Sequence, residues 1–265
     1  MNEQQNAVLY HLDERGVATV TLNRPEKHNA FDDTIIAELT RIFKLIGMDN
    51  NVRVMVLQAE GKSFCAGADL NWMKRMAQYS YEENLADANA LAEMLHTLHS
   101  LPKPTIARVQ GAAFGGAVGL VACCDIAIGT KLSKFCLSEV KLGLIPATIS
   151  PYVIDAIGAR VARRYFMTAE VFSARRARRL GLLSEAVTHE EIDDEIASLV
   201  NHILSNGPEA VAAAKQLVFD VKDLELGEEL LEKTSLRIAT ARVSDEGQEG
   251  LSAFLEKRPA KWQVK

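Results

Sequence analysis

Three segments of the sequence combine residues that can hold an anion with a residue that can move a proton. Two of them, residues 63–70 and 109–120, are rich in glycine and alanine. The third, residues 135–146, contains Glu139 just after an apolar stretch. Backbone N–H groups left uncovered by small residues bind anionic oxygen, and a carboxylate acts as an acid or a base. These segments are therefore the candidates for a catalytic site.

The first segment places Ala66, Gly67 and Ala68 between a predicted strand and a predicted helix. A ligand can approach the backbone closely there because few side chains intervene. The N–H groups of such a loop can point at an anion, especially near a helix N-terminus. A simple Gly/Ala turn with no ligand is the alternative explanation for this segment alone.

The second segment follows a strand and opens an apolar helix that ends near Asp125. Its Gly115-Gly116 step leaves a backbone N–H uncovered at the helix start. The segment matches neither the GxxxxGK[ST] phosphate loop nor the GxGxxG fingerprint, which disfavours a nucleotide ligand. Tight packing of the helix on the strand is the alternative reason for the glycines.

Glu139 is the lone carboxylate of the third segment. A buried or half-buried glutamate has a raised pKa and can exchange protons near neutral pH. The alternative is that Glu139 is a solvated residue of a surface turn with no chemical role. Taken together, two donor loops and one carboxylate suit the chemistry of a thioester. A thioester carbonyl that accepts hydrogen bonds from two N–H groups becomes easier to enolise. The carboxylate then moves a proton or a water molecule at the α or β carbon.

The elements that position these segments follow from hydrophobic periodicity. The pattern predicts alternating strands and helices first and a helical tail from about residue 200. The expected domains are therefore a core at 1–199 and a tail at 200–265. The predicted strands are 17–22, 52–57, 105–109 and 135–137, the predicted helices are 34–48 and 81–101, and the chain is mostly helical from about residue 149.

Charge and composition limit the classes of ligand and partner to be expected. The net charge of −5 argues against nucleic acid as the main ligand. Two arginine clusters, at residues 160–164 and 175–179, are typical of solvated, salt-bridged helix faces, and a role near the CoA phosphates or an acidic partner is the alternative. The N-terminal residues do not resemble a signal or transit peptide, and no apolar run is long enough for a membrane span. A cytoplasmic protein with buried, reduced cysteines is expected.

Four ordered motifs resemble the crotonase (enoyl-CoA hydratase/isomerase) superfamily over nearly the whole chain. The sequence NRPEKHNA at residues 23–30 matches the family's NRPxxxNA signature, and FCAGADL at 64–70 matches its FxAGADL loop. Residues 111–125 match the family's second oxyanion loop and helix. The segment from Glu249 to Pro259 resembles its C-terminal EGxxAFxEKR motif.

The resemblance implies an α/β fold: a crotonase-like spiral of ββα units with a C-terminal helical trimerisation region. It places the oxyanion hole at the backbone N–H groups of Ala68 and Gly116 and makes Glu139 the catalytic glutamate. Coenzyme A enters as part of the substrate, so no separate cofactor is expected. The implied substrate-binding residues are Lys27, Ala66, Gly67, Asp69, Leu70 and Gly119, with Phe254 and Lys257 reaching a neighbouring subunit in a trimer or a dimer of trimers.

Gly119 departs from the family pattern, because two-glutamate hydratases carry their first glutamate at this position. The surrounding residues look more like bacterial methylglutaconyl-CoA hydratases. The missing side chain is expected to leave room beside the acyl chain for a 3-methyl branch or a distal carboxylate. The resulting hypothesis is a hydratase of 2,3-unsaturated, branched acyl-CoA, with a single-glutamate isomerase or a non-catalytic acyl-CoA- or nucleic-acid-binding protein as the alternatives.

Overall fold

The protein, whose computed structural model describes residues 6–263, is built on one large sheet and one small sheet. Its strands are β1 (Val8–Leu12), β2 (Val17–Leu22), β3 (Val54–Ala59), β4 (Thr105–Val109), β5 (Ala112–Phe114), β6 (Ile126–Thr130), β7 (Lys134–Cys136), β8 (Phe172–Ser173) and β9 (Glu185–Val187). The large sheet has the order β1-β2-β3-β4-β6-β9 and the small one β5-β7-β8. Only β1 in the large sheet is antiparallel to its neighbour.

Helices connect and cover the strands, as parallel neighbours require. They are α1 (Asp33–Met48), α2 (Leu70–Met76), α3 (Tyr81–His99), α4 (Gly116–Cys123), α5 (Ser150–Ile157), α6 (Ala159–Thr168), α7 (Ala174–Leu180), α8 (Ile192–Leu204), α9 (Pro208–Val221), α10 (Glu228–Val243) and α11 (Asp245–Leu255). No helix within residues 6–263 is both long and apolar enough to cross a bilayer.

The large sheet is buried on both faces. Alternate residues of a strand point to opposite faces, and in β3 Val54 and Val56 pack with α8 while Met55 and Leu57 pack with α1, α3 and α4. A parallel sheet covered on both sides needs such continuous apolar strands. This two-sided burial fixes the ends of β2, β3 and β4, from which the candidate loops emerge.

The structure confirms the α/β fold class expected from the sequence, including the C-terminal helices. Four predicted strands and the predicted helices 34–48 and 81–101 are present, with ends shifted by a few residues. The helices expected after the two glycine- and alanine-rich segments are present as α2 and α4, whereas sequence patterns missed β1, β5, β6, β8 and β9. The predicted boundary between 199 and 200 falls inside α8, which packs on the sheet; residues 1–5 and 264–265 of those ranges lie outside the described residues.

Helix α9 attaches the tail to the core through a half-buried cation. The Lys215 ammonium lies 2.7 Å from an Asp125 carboxylate oxygen and donates to the Lys103 carbonyl at 3.1 Å. Asp125 also accepts hydrogen bonds from the Thr105 N–H and hydroxyl. This network secures α9 beside the start of β4. Neither α9 nor α10 has a fully buried residue.

The exposed apolar side chains of α10 generate a prediction about assembly. Leu231 and Ile238, seven residues apart on one side of the helix, are each more than half exposed, and exposed apolar side chains on one helix face are normally covered by a partner surface. We expect the protein to associate with further copies of itself. Light scattering at micromolar concentration should give a mass above that of one chain, and a stable monomer would contradict this expectation.

Candidate active site

Asn29 connects the segment after β2 to the loop after β3. Its side-chain oxygen accepts the Arg24 N–H at 2.8 Å, and its amide nitrogen donates to the carbonyls of Glu60 at 2.7 Å and Ser63 at 2.9 Å. The residue is 2% exposed and has a left-handed backbone, a conformation that asparagine tolerates better than most residues. The NRPxxxNA signature therefore acts as a clamp on the first donor loop.

Asp69 fixes the end of that loop and the start of α2. Its carboxylate accepts the N–H groups of Asn71 at 2.8 Å and Trp72 at 3.4 Å, which is an N-terminal cap. It also accepts from Arg24 at 3.0 Å and Lys27 at 3.3 Å. Burial raises the pKa of Asp69, but the hydrogen bonds from Asn71 and Lys27 outweigh this effect and hold the pKa below its ordinary value.

Ala68 lies between two residues that pair with Phe31. The Phe31 N–H donates to the Gly67 carbonyl at 3.0 Å, and the Asp69 N–H donates to the Phe31 carbonyl at 2.9 Å. In this parallel bridge the flanking residues face Phe31, so the N–H of Ala68 points the other way. Within residues 6–263 no hydrogen bond engages that N–H, which leaves it free for a ligand.

The same loop is pressed against β5. The Cys65 N–H donates to the Ala112 carbonyl, and the Phe114 N–H donates to the Cys65 carbonyl, both at 3.0 Å. Gly67 has a φ of 101°, and a Cβ there would lie 3.3 Å from the Phe114 carbonyl oxygen. A glycine is thus required by both the backbone angle and the close approach.

Gly116 supplies the second candidate donor, at the first turn of α4. The helix start is held by the Gly115 N–H, which donates to the Cys136 carbonyl of β7 at 2.8 Å. No side chain caps this helix, and its first N–H groups have no partner within the helix. The Gly116 N–H is uncovered among the described residues, and the partial positive charge of a helix N-terminus adds to its pull on an anion.

Phe31 touches both donor segments, a role that sequence reasoning missed. Its backbone pairs with the residues on either side of Ala68, and its ring lies so close to Gly116 that a Cβ there would be 2.5 Å from Phe31 Cζ. The ring is 2% exposed. Its place directly after the NRPxxxNA signature was the available signal, but only the fold shows that it bridges two loops distant in sequence.

Glu139 projects toward the start of α4 from a 3₁₀ turn, Glu139–Leu142, that follows β7. A Cβ built on Gly115 would lie 3.5 Å from Glu139 Oε1, so the carboxyl group sits beside the residue that precedes the second donor. Its Oε2 atom is buried and has no hydrogen-bond partner within residues 6–263. Burial raises the pKa of Glu139 above its ordinary value, as a group that exchanges protons near neutral pH requires.

Gly119 does not leave the free space expected from the sequence, and this expectation is wrong. A Cβ on Gly119 would lie 2.3 Å from Ile149 Cγ2 and 2.8 Å from Ile149 Cβ. Ile149 is 1% exposed and occupies the volume beside α4. The glycine is present because a neighbouring side chain fills its place, which no local sequence pattern reveals.

The other residues expected at the site lie in two places. Ala66 and Leu70 are exposed on the first loop, and Lys27 pairs with Asp69 across it. Phe254 lies in the last turn of α11, where it is 81% exposed, and Lys257 follows the end of that helix in the tail. The structure therefore brings together the first loop, the second loop and Glu139, and leaves the contribution of the tail residues a prediction.

Burial raises the pKa of the Cys65 thiol to about 12, so it remains protonated at neutral pH despite its place in the first loop. Among the described residues no group of three or more His, Cys, Asp or Glu side chains is arranged to hold a metal ion.

The sequence and the fold of the chain match those of known proteins. The model of the enoyl-CoA hydratase/isomerase family matches residues 13–265. An enoyl-CoA hydratase structure from Shewanella pealeana is 47% identical, with a TM-score of 0.94 and coverage of 98% of this chain and 97% of that one. Pseudomonas aeruginosa AtuE is 33% identical, with a TM-score of 0.92 and coverage of 97% and 100%. The (E)-benzylidenesuccinyl-CoA hydratase of Thauera aromatica is 33% identical over 91% of this chain and 93% of that protein.

Glu139→Gln tests the acid–base role of the carboxyl group. Turnover should fall roughly 10²-fold or more because the amide cannot exchange a proton. The acid limb of the wild-type pH profile should lie above the ordinary pKa of a glutamate and should disappear in the variant. Near-normal turnover in a folded variant would exclude this role.

Thermal melting of the same variant gives an independent check. Because the folded-state pKa of Glu139 is raised, its contribution to stability is complete below the pKa of an unfolded glutamate and is lost as pH rises through the folded value. Glu139→Gln removes this loss, so it should match or exceed the wild-type melting temperature at neutral pH. Clear destabilisation at neutral pH would mean that the carboxylate is satisfied by an interaction absent from the structure.

Gly116→Pro and Gly116→Ala together test the second donor. Both introduce a Cβ against Phe31, but only proline removes the N–H, and proline is tolerated at the first position of a helix. The proline variant should turn over roughly 10²–10³-fold more slowly than the alanine variant, which is the effect of losing one oxyanion donor. Equal kcat values in the two variants would show that another group holds the oxygen.

Proposed function

The chain belongs to the enoyl-CoA hydratase/isomerase family, and from this premise we propose that it adds water to a 2,3-unsaturated, branched acyl-CoA of the methylglutaconyl type. The observation that carries the proposal is the buried, unpartnered carboxyl oxygen of Glu139 beside the uncovered N-terminus of α4. A protein that only binds acyl-CoA has no use for such a group, because burying an unpaired carboxyl costs stability.

The two backbone donors act on the thioester carbonyl. The N–H groups of Ala68 and Gly116 donate to its oxygen and stabilise the negative charge that develops there. Glu139 accepts a proton from water while the water oxygen bonds to C3, and the C2–C3 double-bond electrons pass to the carbonyl as an enolate. Glu139 then returns the proton to C2, so one carboxyl group serves first as base and then as acid.

The absence of a carboxylate at position 119 supports a branched, dicarboxylic substrate. With glycine there, α4 carries no carboxylate of its own, and Glu139 is the carboxyl group beside its start. A substrate that carries its own carboxylate can help to hold the attacking water. The relative from Thauera aromatica is named for hydration of (E)-benzylidenesuccinyl-CoA, the thioester of a substituted succinate.

The coenzyme A part of the substrate is assigned to the exposed first loop. Residues 66–70 border the adenine and pantetheine, with Lys27 beside them, and the small exposed Ala66 leaves the backbone open to that contact. Phe254 and Lys257 contribute from a neighbouring subunit in a trimer or a dimer of trimers. The exposure of Phe254 on α11 and of Lys257 just after it is compatible with that role.

An enoyl-CoA isomerase is the second candidate, because a single carboxyl group can carry a proton from C4 to C2. The absence of a carboxylate at position 119 favours this alternative as much as the hydratase. Nucleic-acid binding has weaker support, since Arg164 pairs with Glu170 and Arg178 with Glu185, which leaves less of the basic face unpaired.

A panel of thioesters with product analysis separates these functions. We expect hydration of 3-methylglutaconyl-CoA with a kcat/KM at least roughly tenfold above that of crotonyl-CoA, and a 3-hydroxy product. A shifted double bond without water incorporation would identify an isomerase. Equal efficiency on crotonyl-CoA and the branched thioester would remove the proposed substrate class.

A further inference from the structure

We propose that the Ser138 hydroxyl and the Glu139 carboxylate together hold the water molecule that adds to C3 of the acyl group. The inference rests on the proposed function for the reaction and names a second polar side chain that takes part in it. Ser138 lies outside all four sequence motifs. Its role is to orient the attacking water, whereas Glu139 takes the proton.

The backbone of Ser138 allows its side chain to face the same way as that of Glu139. Along a strand such as β7, successive side chains alternate between the two faces of the sheet. Ser138 comes two residues after β7 and has φ −90° and ψ −1°, which is a helical and not an extended conformation. Successive residues of helical backbone do not point to opposite sides, so Ser138 and Glu139 can approach one neighbour.

Gly115 is that neighbour, and the two polar groups meet beside its Cα atom. A Cβ built on Gly115 would lie 3.5 Å from Glu139 Oε1 and 4.0 Å from Ser138 Oγ, and Ser138 and Glu139 supply its three nearest atoms outside residues 114–116. Gly115 has φ 55° and ψ −127°, a conformation that residues with a side chain rarely adopt. A hydroxyl and a carboxyl group therefore line a point that no side chain of residue 115 can fill.

Both polar groups have capacity to bind a further molecule. Ser138 is half-buried, and its side chain makes no capping hydrogen bond to the 3₁₀ turn that it precedes or any other hydrogen bond within residues 6–263. The Glu139 Oε2 atom is buried without a partner in the same part of the chain. A bound water needs two to four polar partners, and this pair supplies two of them beside the second candidate donor.

Two hydrogen-bond acceptors fix the orientation of such a water. It donates one hydrogen to the Glu139 carboxylate and the other to Ser138 Oγ, since a serine oxygen accepts as well as donates. A lone pair of the water oxygen is then directed away from both groups and toward C3. As the oxygen bonds to C3, the first hydrogen passes to Glu139 as a proton and the second stays on the new hydroxyl group. Ser138 neither gains nor loses a proton, so it contributes by orientation.

Ser138→Ala separates hydration from enolate formation. Hydration of 3-methylglutaconyl-CoA or crotonyl-CoA needs the oriented water, whereas exchange of the C2 hydrogen of saturated 3-methylbutyryl-CoA needs Glu139 and the backbone donors alone. The variant should lower kcat for hydration roughly tenfold, which is the effect of losing one hydrogen bond, and leave KM and the exchange rate unchanged. An unchanged kcat for hydration, or an equal fall in hydration and exchange, would overturn the proposal.

Ser173→Ala is the matched control. Ser173 lies on β8 of the same small sheet, and its hydroxyl caps α7 by accepting the Arg176 N–H at 3.3 Å. Removal of this cap should lower the melting temperature and leave the ratio of hydration to exchange at the wild-type value. A change of that ratio as large as the change in Ser138→Ala would show that the small sheet controls it, and would overturn the role of the Ser138 hydroxyl.

Crystal structures of the wild type and of Ser138→Ala with bound 3-methylbutyryl-CoA test the position of the water. The wild-type complex should contain a water oxygen within about 3.2 Å of both Ser138 Oγ and a Glu139 carboxylate oxygen. The variant complex should lack it or show it displaced. A wild-type complex in which no water contacts both groups would contradict the proposal.

These outcomes differ from failure of the proposed function. If the wild type hydrates crotonyl-CoA but not 3-methylglutaconyl-CoA, the substrate class is wrong, and the effect of Ser138→Ala on crotonyl-CoA still decides the role of Ser138. If the wild type catalyses exchange but hydrates neither thioester, the hydratase function and the water-holding role fail together. If the wild type hydrates either thioester and Ser138→Ala hydrates it equally well, only the role of Ser138 fails.

Discussion

The proposed convergence of two backbone N–H groups, those of Ala68 and Gly116, on one oxygen is the constraint on which the rest of this account depends. Backbone donors cannot be moved by a rotamer change, so their direction is set by the segments that carry them. Phe31 joins those segments: its main chain pairs on both sides of Ala68, and its ring packs on Gly116. The clamp made by Asn29 and the cap made by Asp69 then fix the first loop from either end. Such preorganised donors stabilise developing charge without reorganising during the reaction.

Burial of the Glu139 carboxyl group lowers the stability of the fold that holds this arrangement. A carboxyl oxygen without a partner destabilises a fold, yet the surrounding apolar groups raise the pKa of Glu139 toward the range in which it can both accept and release a proton. The 3₁₀ turn that carries Glu139 follows β7, and β7 accepts the hydrogen bond that starts α4. The proposed acid–base group and the proposed second donor are thus held by the same short sheet, which couples their positions.

The sequence was sufficient for the features that local patterns encode. The donor loops, Glu139 and the strands β2, β3 and β4 follow from small residues, apolar runs and four ordered motifs. It was insufficient for features made by contacts between distant segments. Ile149 lies thirty positions from Gly119, so the space beside the glycine looked empty until the packing of α5 on α4 was known. The short strands β8 and β9 were not predicted for the same reason. Two or three residues are too few to show a hydrophobic periodicity, and they pair only because the fold brings them to a sheet edge.

Hydrogen–deuterium exchange at C2 of saturated 3-methylbutyryl-CoA tests the central claim most directly. This thioester has no double bond to hydrate, so incorporation of deuterium from D₂O reports formation of the enolate alone. Mass spectrometry or NMR measures the exchange. We predict exchange by the wild type and an exchange rate lower by roughly 10²-fold or more in Glu139→Gln. Hydration of an unsaturated thioester by an enzyme that catalyses no such exchange, or equal exchange by wild type and variant, would contradict this prediction.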